Sequence, residues 1–324
     1  MTFIRNSILT INDTEQFEHI ALELFGYQRK NCSVYKAYCD LILKNKQPIR
    51  ISEIPFLPIQ FFKSHEIKTK TFIPEVVYSS SGTTQSQPSK HFVKQKDWYL
   101  KVCEKAFEAQ YGSLKGFRIL ALLPSYLERE GSSLIDMVEY FISVSDENAG
   151  GFYLNHEAKL IHELNKPYHG KTILIGVTFG LLDFAEKCKI DLSHAIIMET
   201  GGMKGRRKEM IREEVHSQLS SSFSINKIHS EYGMTELLSQ AYSKGNGIFE
   251  TPPWMKILVR QTTDPLSYCQ PGKTGGINII DLANIDSCAF IQTQDLGKVY
   301  KNGTFEILGR FDESDVRGCN LMIQ

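Results

Sequence analysis

The sequence lacks an excess of charge of either sign, because 37 lysine and arginine residues are balanced by 37 aspartate and glutamate residues among 324. Proteins that bind polyanions usually carry a clear positive excess. The composition therefore does not indicate a nucleic-acid partner. The hydrophobic content of 42% is ordinary for a globular protein with a substantial core.

Long hydrophobic runs are also missing. No apolar stretch is long enough to cross a bilayer. The first apolar run is short and soon interrupted by Asp13 and Glu15, so we expect no signal peptide. The cysteines form no C-x-x-C pair and have no histidine at metal-ligand spacing, so the spacings predict neither a zinc framework nor a disulfide scaffold. This usage suits a reducing cytoplasm. These seven cysteines are Cys32, Cys39, Cys103, Cys188, Cys269, Cys288 and Cys319.

The order of hydrophobic patterns predicts an α/β protein. Helical spacing over residues 13–46 indicates an N-terminal helical cap, and the proline-broken segment 54–62 indicates a packed connector or pocket wall rather than a helix. Strand-like runs over 117–123, 151–154, 171–177 and 195–198 alternate with helical stretches over 97–111 and 205–219, which predicts a doubly wound sheet. Short strands after residue 240 predict a β-rich subdomain, so we divide the chain into residues 1–245 and 246–324.

A loop rich in hydroxyls over residues 78–90 is the strongest candidate for a phosphate-binding segment. Small side chains let backbone N–H groups surround anionic oxygens, and hydroxyls add further donors. Lys90 supplies a positive charge. The loop does not match the Walker pattern. Its candidate ligand residues are Ser79, Ser80, Ser81, Gly82, Thr83 and Thr84.

Two further motifs follow predicted strands, where open α/β sheets collect ligands. The paired glycines Gly201 and Gly202 would let a flat ring lie against the backbone. In the segment 232–236, Tyr232 can stack on a ring, Thr235 can donate to a phosphate, and Glu236 can bind Mg²⁺ through a carboxylate oxygen. Gly233 lies between them.

The last two motifs carry opposite charges. Asp295 is predicted at a strand end before a glycine turn, where its carboxylate could accept hydrogen bonds from ribose hydroxyls. Arg310 offers a planar fork of donors to an anion, and Asp312 follows it as a candidate hinge.

Taken in order, these motifs resemble those of the adenylate-forming superfamily of acyl- and aryl-CoA ligases, over about residues 76–318. The resemblance implies the N-terminal domain fold of those enzymes and a reaction of a carboxylic acid with ATP and Mg²⁺ that gives an acyl-AMP. It assigns Lys90, Thr235 and Glu236 to catalysis, with Glu236 as the metal ligand. It assigns the phosphate loop, Gly201, Gly202, Tyr232, Gly233, Asp295 and Arg310 to nucleotide binding.

Within that superfamily, residues 123–134 and 316–321 are similar to the acyl-protein synthetases of bacterial bioluminescence, a resemblance that covers nearly the whole chain. This implies that a fatty acid is activated and that the acyl group passes to a protein thiol. Cys319 fits the position of the acceptor cysteine in that family. An acyl reductase, a thioesterase or another acyl-accepting protein is then the expected partner.

The chain departs from the superfamily pattern at two places. Gln85 and Ser86 stand where the phosphate loop usually has a glycine after its paired threonines. The resemblance also implies a C-terminal lid domain with an adenylation lysine, and we expect no counterpart of it within these 324 residues. The role of that lysine would fall to Lys90, Lys204 or a partner residue.

Two alternatives remain open on the sequence alone. One is an acyl- or aryl-CoA ligase similar to phenylacetate-CoA ligases, in which a soluble thiol is the acceptor. The other is a non-catalytic subunit that binds an adenylate within a larger acyl-processing complex.

Overall fold

The computed structural model describes residues 5, 7–80, 87–123, 131–146, 149–201 and 210–311. In these ranges no helix is both long enough and apolar enough to span a membrane.

The N-terminal cap consists of helix α1 (Thr14–Asn31) and helix α2 (Ser33–Leu43), as the hydrophobic spacing predicts. The side chain of Asp13 accepts a hydrogen bond from the backbone of Gln16 at 2.8 Å, which satisfies one of the free N–H groups at the start of α1. Cys32 is extended and separates the two helices. The buried face of α1 packs on the main sheet through Gln28, whose side chain donates to the backbone of Asn284.

The proline-broken segment that follows packs against the sheet, and it also contains short regular elements. Strand β1 (Leu57–Pro58) pairs in parallel with β13 (Phe290–Val299), and the one-turn helix α3 begins at Phe61 and ends at Ser64. The prediction of a packed connector is therefore confirmed for residues 54–60, whereas residues 61–64 are helical.

The middle of the chain forms the predicted α/β alternation. Five parallel strands lie side by side in the order β5, β4, β6, β7, β8. They are β4 (Phe117–Leu122), β5 (Gly151–Phe152), β6 (Lys171–Val177), β7 (Ala195–Thr200) and β8 (His229–Tyr232). The helices are α4 (Lys96–Tyr111), α5 (Ser133–Val144), α6 (Glu157–Asn165), α7 (Thr178–Lys187) and α8 (Arg212–Phe223). Every residue of β4 is buried, as expected for a parallel strand covered on both faces.

Helix α8 begins at Arg212, within the stretch 205–219 that the sequence pattern predicts to be helical; residues 205–209 lie outside the described residues. Its first turn carries Glu213 and Glu214, and the Glu214 carboxylate accepts from the backbone N–H of Ile211 at 3.3 Å. This local cap and the negative charges at the helix N-terminus favour a start at Arg212.

The C-terminal part is rich in strands, as predicted. The structure shows that these strands are antiparallel and continue the same sheet. From β8 the strand order runs β9, β10, β14, β13, β12, β11. These strands are β9 (Ala241–Ser243), β10 (Phe249–Glu250), β11 (Met255–Arg260), β12 (Gly275–Asp281), β13 and β14 (Phe305–Arg310). Strands β9 and β10 pair with each other across residue 245. The division of the chain at that residue stays a prediction.

The prediction of a glycine turn after Asp295 is wrong, because Asp295 lies within the long strand β13. The strand continues through a register shift between Leu296 and Gly297, and Asp295 is the direct cross-strand partner of Arg310 on β14. A Cβ on residue 297 would lie 2.2 Å from the carbonyl oxygen of Glu306, so only glycine allows the two backbones to approach this closely.

The hairpin of β2 (Val76–Ser79) and β3 (Lys90–Val93) lies outside the large sheet. Its buried Tyr78 donates a 2.8 Å hydrogen bond to Asp136 on α5, and Lys96 approaches the same carboxylate at 2.8 Å. These contacts fix the base of the hydroxyl-rich loop against the parallel half of the protein.

Candidate active site

The two ends of the hydroxyl-rich loop are held close together. Ser79 faces Lys90 across the hairpin, the Ser80 N–H donates to the Ser89 carbonyl at 3.1 Å, and the Ser89 N–H donates to Ser80 Oγ at 2.9 Å. Lys90 is exposed, and its side chain makes no ion pair among the described residues. Part of the predicted phosphate-binding loop lies outside the described residues, namely Ser81, Gly82, Thr83, Thr84 and Gln85.

The segment after β8 brings Glu236 to the base of this loop. The Glu236 side chain is only 5% exposed and accepts a hydrogen bond from Ser89. Burial raises the pKa of the Glu236 carboxyl, although the Ser89 hydrogen bond and the charge of Arg310 act in the opposite direction. The structure therefore brings the predicted metal ligand next to the predicted phosphate loop.

Tyr232, Asp295 and Arg310 form one hydrogen-bonded cluster across three strands. The Tyr232 hydroxyl donates to Asp295 Oδ2 at 2.6 Å, and Arg310 Nε lies 3.2 Å from Asp295 Oδ1. The Arg310 side chain is 68% exposed, whereas Asp295 is buried, so the guanidinium has further donors that face solvent. The ring of Tyr232 packs edge-on against Phe249 and Phe305.

This cluster and Glu236 share one electrostatic environment. Burial raises the pKa of the Asp295 carboxyl, while the Tyr232 hydrogen bond and the cations Arg310 and Arg260 partly offset that effect. The positive charge of Arg310 also lowers the pKa of the Glu236 carboxyl, whereas the negative charge of Asp295 raises it. The site therefore combines two buried carboxyl groups with an exposed guanidinium at its edge. It offers acceptors for hydroxyls, an oxygen ligand for a cation and donors for an anion.

Gly201 lies at the carboxyl end of β7, beside the same sheet edge. Its φ of 74° is in the left-handed region that favours glycine, and its carbonyl accepts from the Thr178 hydroxyl at 3.4 Å. Thr178 also donates to the buried Glu199 at 2.7 Å. Burial acts to raise the pKa of Glu199, but contacts with His216, Thr178, Ser230 and Arg212 outweigh it, so that pKa is lowered. Gly202 and Lys204 lie outside the described residues.

Gly233 has a packing reason to be glycine. A Cβ there would lie 2.4 Å from Glu231 Oε1 and 3.3 Å from the Gln240 side chain. Glu231 is buried and accepts a hydrogen bond from the Thr200 hydroxyl. The glycine therefore lets the segment 232–236 turn closely over a buried carboxylate.

The residues present fit a Mg²⁺ ion bound in part by a ligand. Within the ranges that the structure describes, no group of three or more His, Cys, Asp or Glu side chains is arranged to hold a metal. Mg²⁺ is commonly bound by one or two carboxylates together with substrate phosphates. Glu236, as one buried carboxylate beside the loop, matches that arrangement.

The predicted acyl acceptor Cys319 lies outside the described residues. The six cysteines in the described ranges are free thiols, and four of them are buried. Cys188 and Cys269 are partly exposed.

Sequence reasoning missed three residues that organise the site. Ser89 bonds Glu236, His91 contacts the carbonyl of Thr235, and Asn284 donates to the carbonyl of Glu236. Ser89 and His91 flank Lys90 in the sequence. Their position next to a predicted phosphate-contacting residue could have indicated that they belong to the site. Asn284 carried no such signal, because it meets the motif only through tertiary contact.

No protein-family model and no curated protein sequence matches the chain. Solved structures do match its fold. An open conformation of 2-hydroxyisobutyryl-CoA ligase in complex with 2-HIB-AMP and CoA aligns with a TM-score of 0.66 and 12% identity over 92% of this chain and 70% of that chain. ATP-bound MatB from Rhodopseudomonas palustris aligns with a TM-score of 0.56 and 15% identity over 74% of this chain and 49% of that one.

O-succinylbenzoate coenzyme A synthetase (MenE) from Bacillus subtilis, in complex with ATP and magnesium ion, aligns with a TM-score of 0.51 and 17% identity, over 76% of this chain and 52% of that chain. The chain spans about half the length of the MatB structures it matches. The predicted fold class is confirmed: the chain has the α/β fold of the N-terminal domain of adenylate-forming acid–CoA ligases.

Proposed function

We propose that the chain uses ATP and Mg²⁺ to activate a carboxylic acid as its acyl-AMP. In this reaction a carboxylate oxygen of the acid attacks the α-phosphorus of ATP, and pyrophosphate leaves. The bond between the α- and β-phosphates breaks as the acyl phosphate bond forms. Activation of an acid in this way prepares its carbonyl carbon for attack by a thiol.

The observation that carries this proposal is the contact of Tyr232 and Arg310 with the two oxygens of Asp295, close to Glu236. A carboxylate has lone pairs left after accepting two hydrogen bonds, so Asp295 can still accept from ribose hydroxyls. Arg310 is free to contact an anionic oxygen. Mg²⁺ bound at Glu236 would neutralise phosphate charge that develops during transfer.

Lys90 and the loop have a complementary role. Ser79 and Ser80 are anchored by backbone hydrogen bonds, so donors at the loop base are ordered before a ligand arrives. Preorganised donors and cations stabilise developing charge without reorganisation at the moment of reaction. We expect Lys90 to contribute to kcat more than to substrate binding, and the Thr235 hydroxyl to donate a hydrogen bond to a phosphate.

The finer proposal concerns the acyl acceptor. We propose that the thiolate of Cys319 attacks the acyl-AMP carbonyl carbon, so that a thioester forms and AMP leaves. The support is the resemblance of residues 123–134 and 316–321 to acyl-protein synthetases, which also favours a fatty acid and an acyl-accepting partner protein. A cytoplasmic location belongs to the same proposal, because cysteines without a C-x-x-C pair suit a reducing compartment.

An acid-dependent exchange of labelled pyrophosphate into ATP tests acid activation. We expect exchange with at least one member of a panel of fatty and aromatic acids. Glu236→Gln should lower it roughly a hundredfold, because removal of one electrostatic stabiliser commonly costs that much. Tyr35→Phe is the control, since it removes a buried 2.7 Å hydrogen bond to Pro55 that belongs to the N-terminal cap. Absence of exchange with every acid would favour the non-catalytic binding module.

Acyl transfer needs a separate experiment with a labelled fatty acid. We expect a hydroxylamine-sensitive protein adduct that disappears in Cys319→Ser while pyrophosphate exchange persists. Cys269→Ser is the matched control, because Cys269 is partly exposed and should leave both activities intact. An adduct that survives in Cys319→Ser would remove the assignment of that thiol.

The second candidate is an acyl- or aryl-CoA ligase. It is favoured by the alignment with 2-hydroxyisobutyryl-CoA ligase over most of both chains. The two candidates differ in the thiol that accepts the acyl group. Formation of acyl-CoA by Cys319→Ser would support the CoA ligase. Acyl transfer that requires Cys319 and does not depend on CoA would support the acyl-protein ligase.

A further inference from the structure

The segment between β8 and β9, residues 233–240, has irregular backbone and yet is largely buried. Buried backbone groups outside helices and strands need partners from other parts of the chain. His91 Nδ1 lies 2.8 Å from the carbonyl oxygen of Thr235, and Asn284 Nδ2 donates to the carbonyl oxygen of Glu236 at 2.8 Å. The backbone carbonyl groups of Thr235 and Glu236, the two residues with a proposed function, are therefore fixed by hydrogen bonds from His91 and Asn284.

The far end of the same segment is held by a third buried side chain. Asp281 Oδ2 accepts from the N–H groups of Leu238 at 2.8 Å and Ser239 at 3.0 Å, and its Oδ1 accepts from the Ser239 hydroxyl at 2.6 Å. Asp281 is fully buried. This contact makes the C-terminal half of the segment a fixed anchor.

His91 and Asn284 also contact each other, with His91 Nε2 at 3.2 Å from Asn284 Oδ1. Each side chain is 1% exposed. His91 follows Lys90 on β3, and Asn284 follows the end of β12 at Asp281. One chain of contacts therefore joins the hairpin that carries Lys90, the segment that carries Glu236, and the turn after β12.

We propose that His91 and Asn284 are positioning residues that fix Thr235 and Glu236 relative to Lys90. This inference rests on the proposed function for its catalytic consequence. Neither side chain has the exposure needed to touch a substrate, so both act through the backbone. Misplacement of a reacting group by about 1 Å can cost roughly a hundredfold in rate.

The hydrogen-bond chemistry of His91 selects the test variants. A carbonyl oxygen only accepts, so Nδ1 carries the hydrogen that Thr235 receives. His91→Asn keeps an amide nitrogen near the position of Nδ1, whereas His91→Leu removes both ring nitrogens. Asn284→Ala removes the donor to Glu236.

The first test is kinetic and uses pyrophosphate exchange with the full chain. We expect kcat to fall roughly tenfold to a hundredfold in His91→Leu and Asn284→Ala, with a raised requirement for Mg²⁺. His91→Asn should recover a large part of the loss. Tyr35→Phe, which loses a hydrogen bond far along the chain from these residues, should keep the wild-type kcat. Folded variants with wild-type kcat and Mg²⁺ requirement would overturn the proposal.

The second test does not depend on activity. Amide hydrogen exchange, followed by mass spectrometry, should be faster over residues 233–240 in Asn284→Ala and His91→Leu than in wild type, and unchanged there in Tyr35→Phe. Unchanged exchange over 233–240 in both variants would overturn the proposed positioning. A wild-type protein that fails to exchange pyrophosphate, but whose variants show faster amide exchange, would refute the proposed function and leave the positioning contacts supported.

Discussion

The buried histidine His91 should make the protein lose stability in mild acid. Burial lowers the pKa of His91 from its ordinary value of 6.5 to about 4, while its contacts with Thr235 and Asn284 act in the opposite direction. Between those two pH values the unfolded chain binds a proton at His91 and the folded chain does not. The contribution of neutral His91 to the free energy of unfolding is therefore fully present well above pH 6.5, and it is lost as the pH falls from 6.5 towards 4.

The expected size of this effect follows from the two pKa values. One pKa unit corresponds to about 1.4 kcal/mol, so the full shift corresponds to roughly 3 kcal/mol. When the pH is lowered from about 7.5 to about 5, which covers most of this window, His91 lowers the free energy of unfolding by about 2 kcal/mol. His91→Asn removes the titrating group and should lose about 2 kcal/mol less than wild type over that range.

Urea denaturation of both proteins at each pH gives the required free energies of unfolding. His229, whose pKa burial and the nearby Lys244 and Lys227 lower to about 4, is present in both proteins and cancels in the comparison. Equal losses of stability in wild type and His91→Asn would refute the reasoning. They would mean that His91 keeps an ordinary pKa in the folded chain.

Three further predictions follow from particular contacts. Gly297→Ala forces a Cβ within 2.2 Å of a carbonyl oxygen on the neighbouring strand and should cost about 1–3 kcal/mol, measured by urea denaturation. Gly26→Ala, on helix α1 with open space around its Cβ, should instead stabilise the protein by roughly 0.5–1 kcal/mol. Asp295→Asn keeps a partner for Tyr232 but loses the charge that faces Arg310, and should raise KM for ATP roughly tenfold, with a smaller effect on KM for the acid. Unchanged KM for ATP would contradict nucleotide binding at that cluster.

The local hydrophobic periodicity was enough to predict much of the fold. The parallel strands β4, β6 and β7 and helix α4 follow runs that are buried along their length or on one face, so their type could be predicted from pattern alone. The continuous β13 could not, because Asp-Leu-Gly is locally typical of a turn. It is the close approach of β14 that turns the same residues into a bulge within a strand.

The candidate site could be predicted only where residue types and their order along the chain indicate a chemistry. The types of Tyr232, Asp295 and Arg310 and their order along the chain indicate nucleotide binding, and the structure brings these residues into contact. The supporting residues His91 and Asn284 were not predicted, since they meet across 193 positions of sequence and act on backbone carbonyls. Such contacts leave no spacing in the sequence from which they could be predicted.

The most direct test of the central claim is the fate of ATP labelled at its α-phosphate when the chain is incubated with Mg²⁺ and an acid that supports exchange. We expect acid-dependent formation of labelled acyl-AMP, with pyrophosphate released in equal amount. Glu236→Gln should form far less acyl-AMP, and Tyr35→Phe should form as much as wild type. Cleavage of ATP to ADP and phosphate, or no acid-dependent cleavage with any acid, would contradict it.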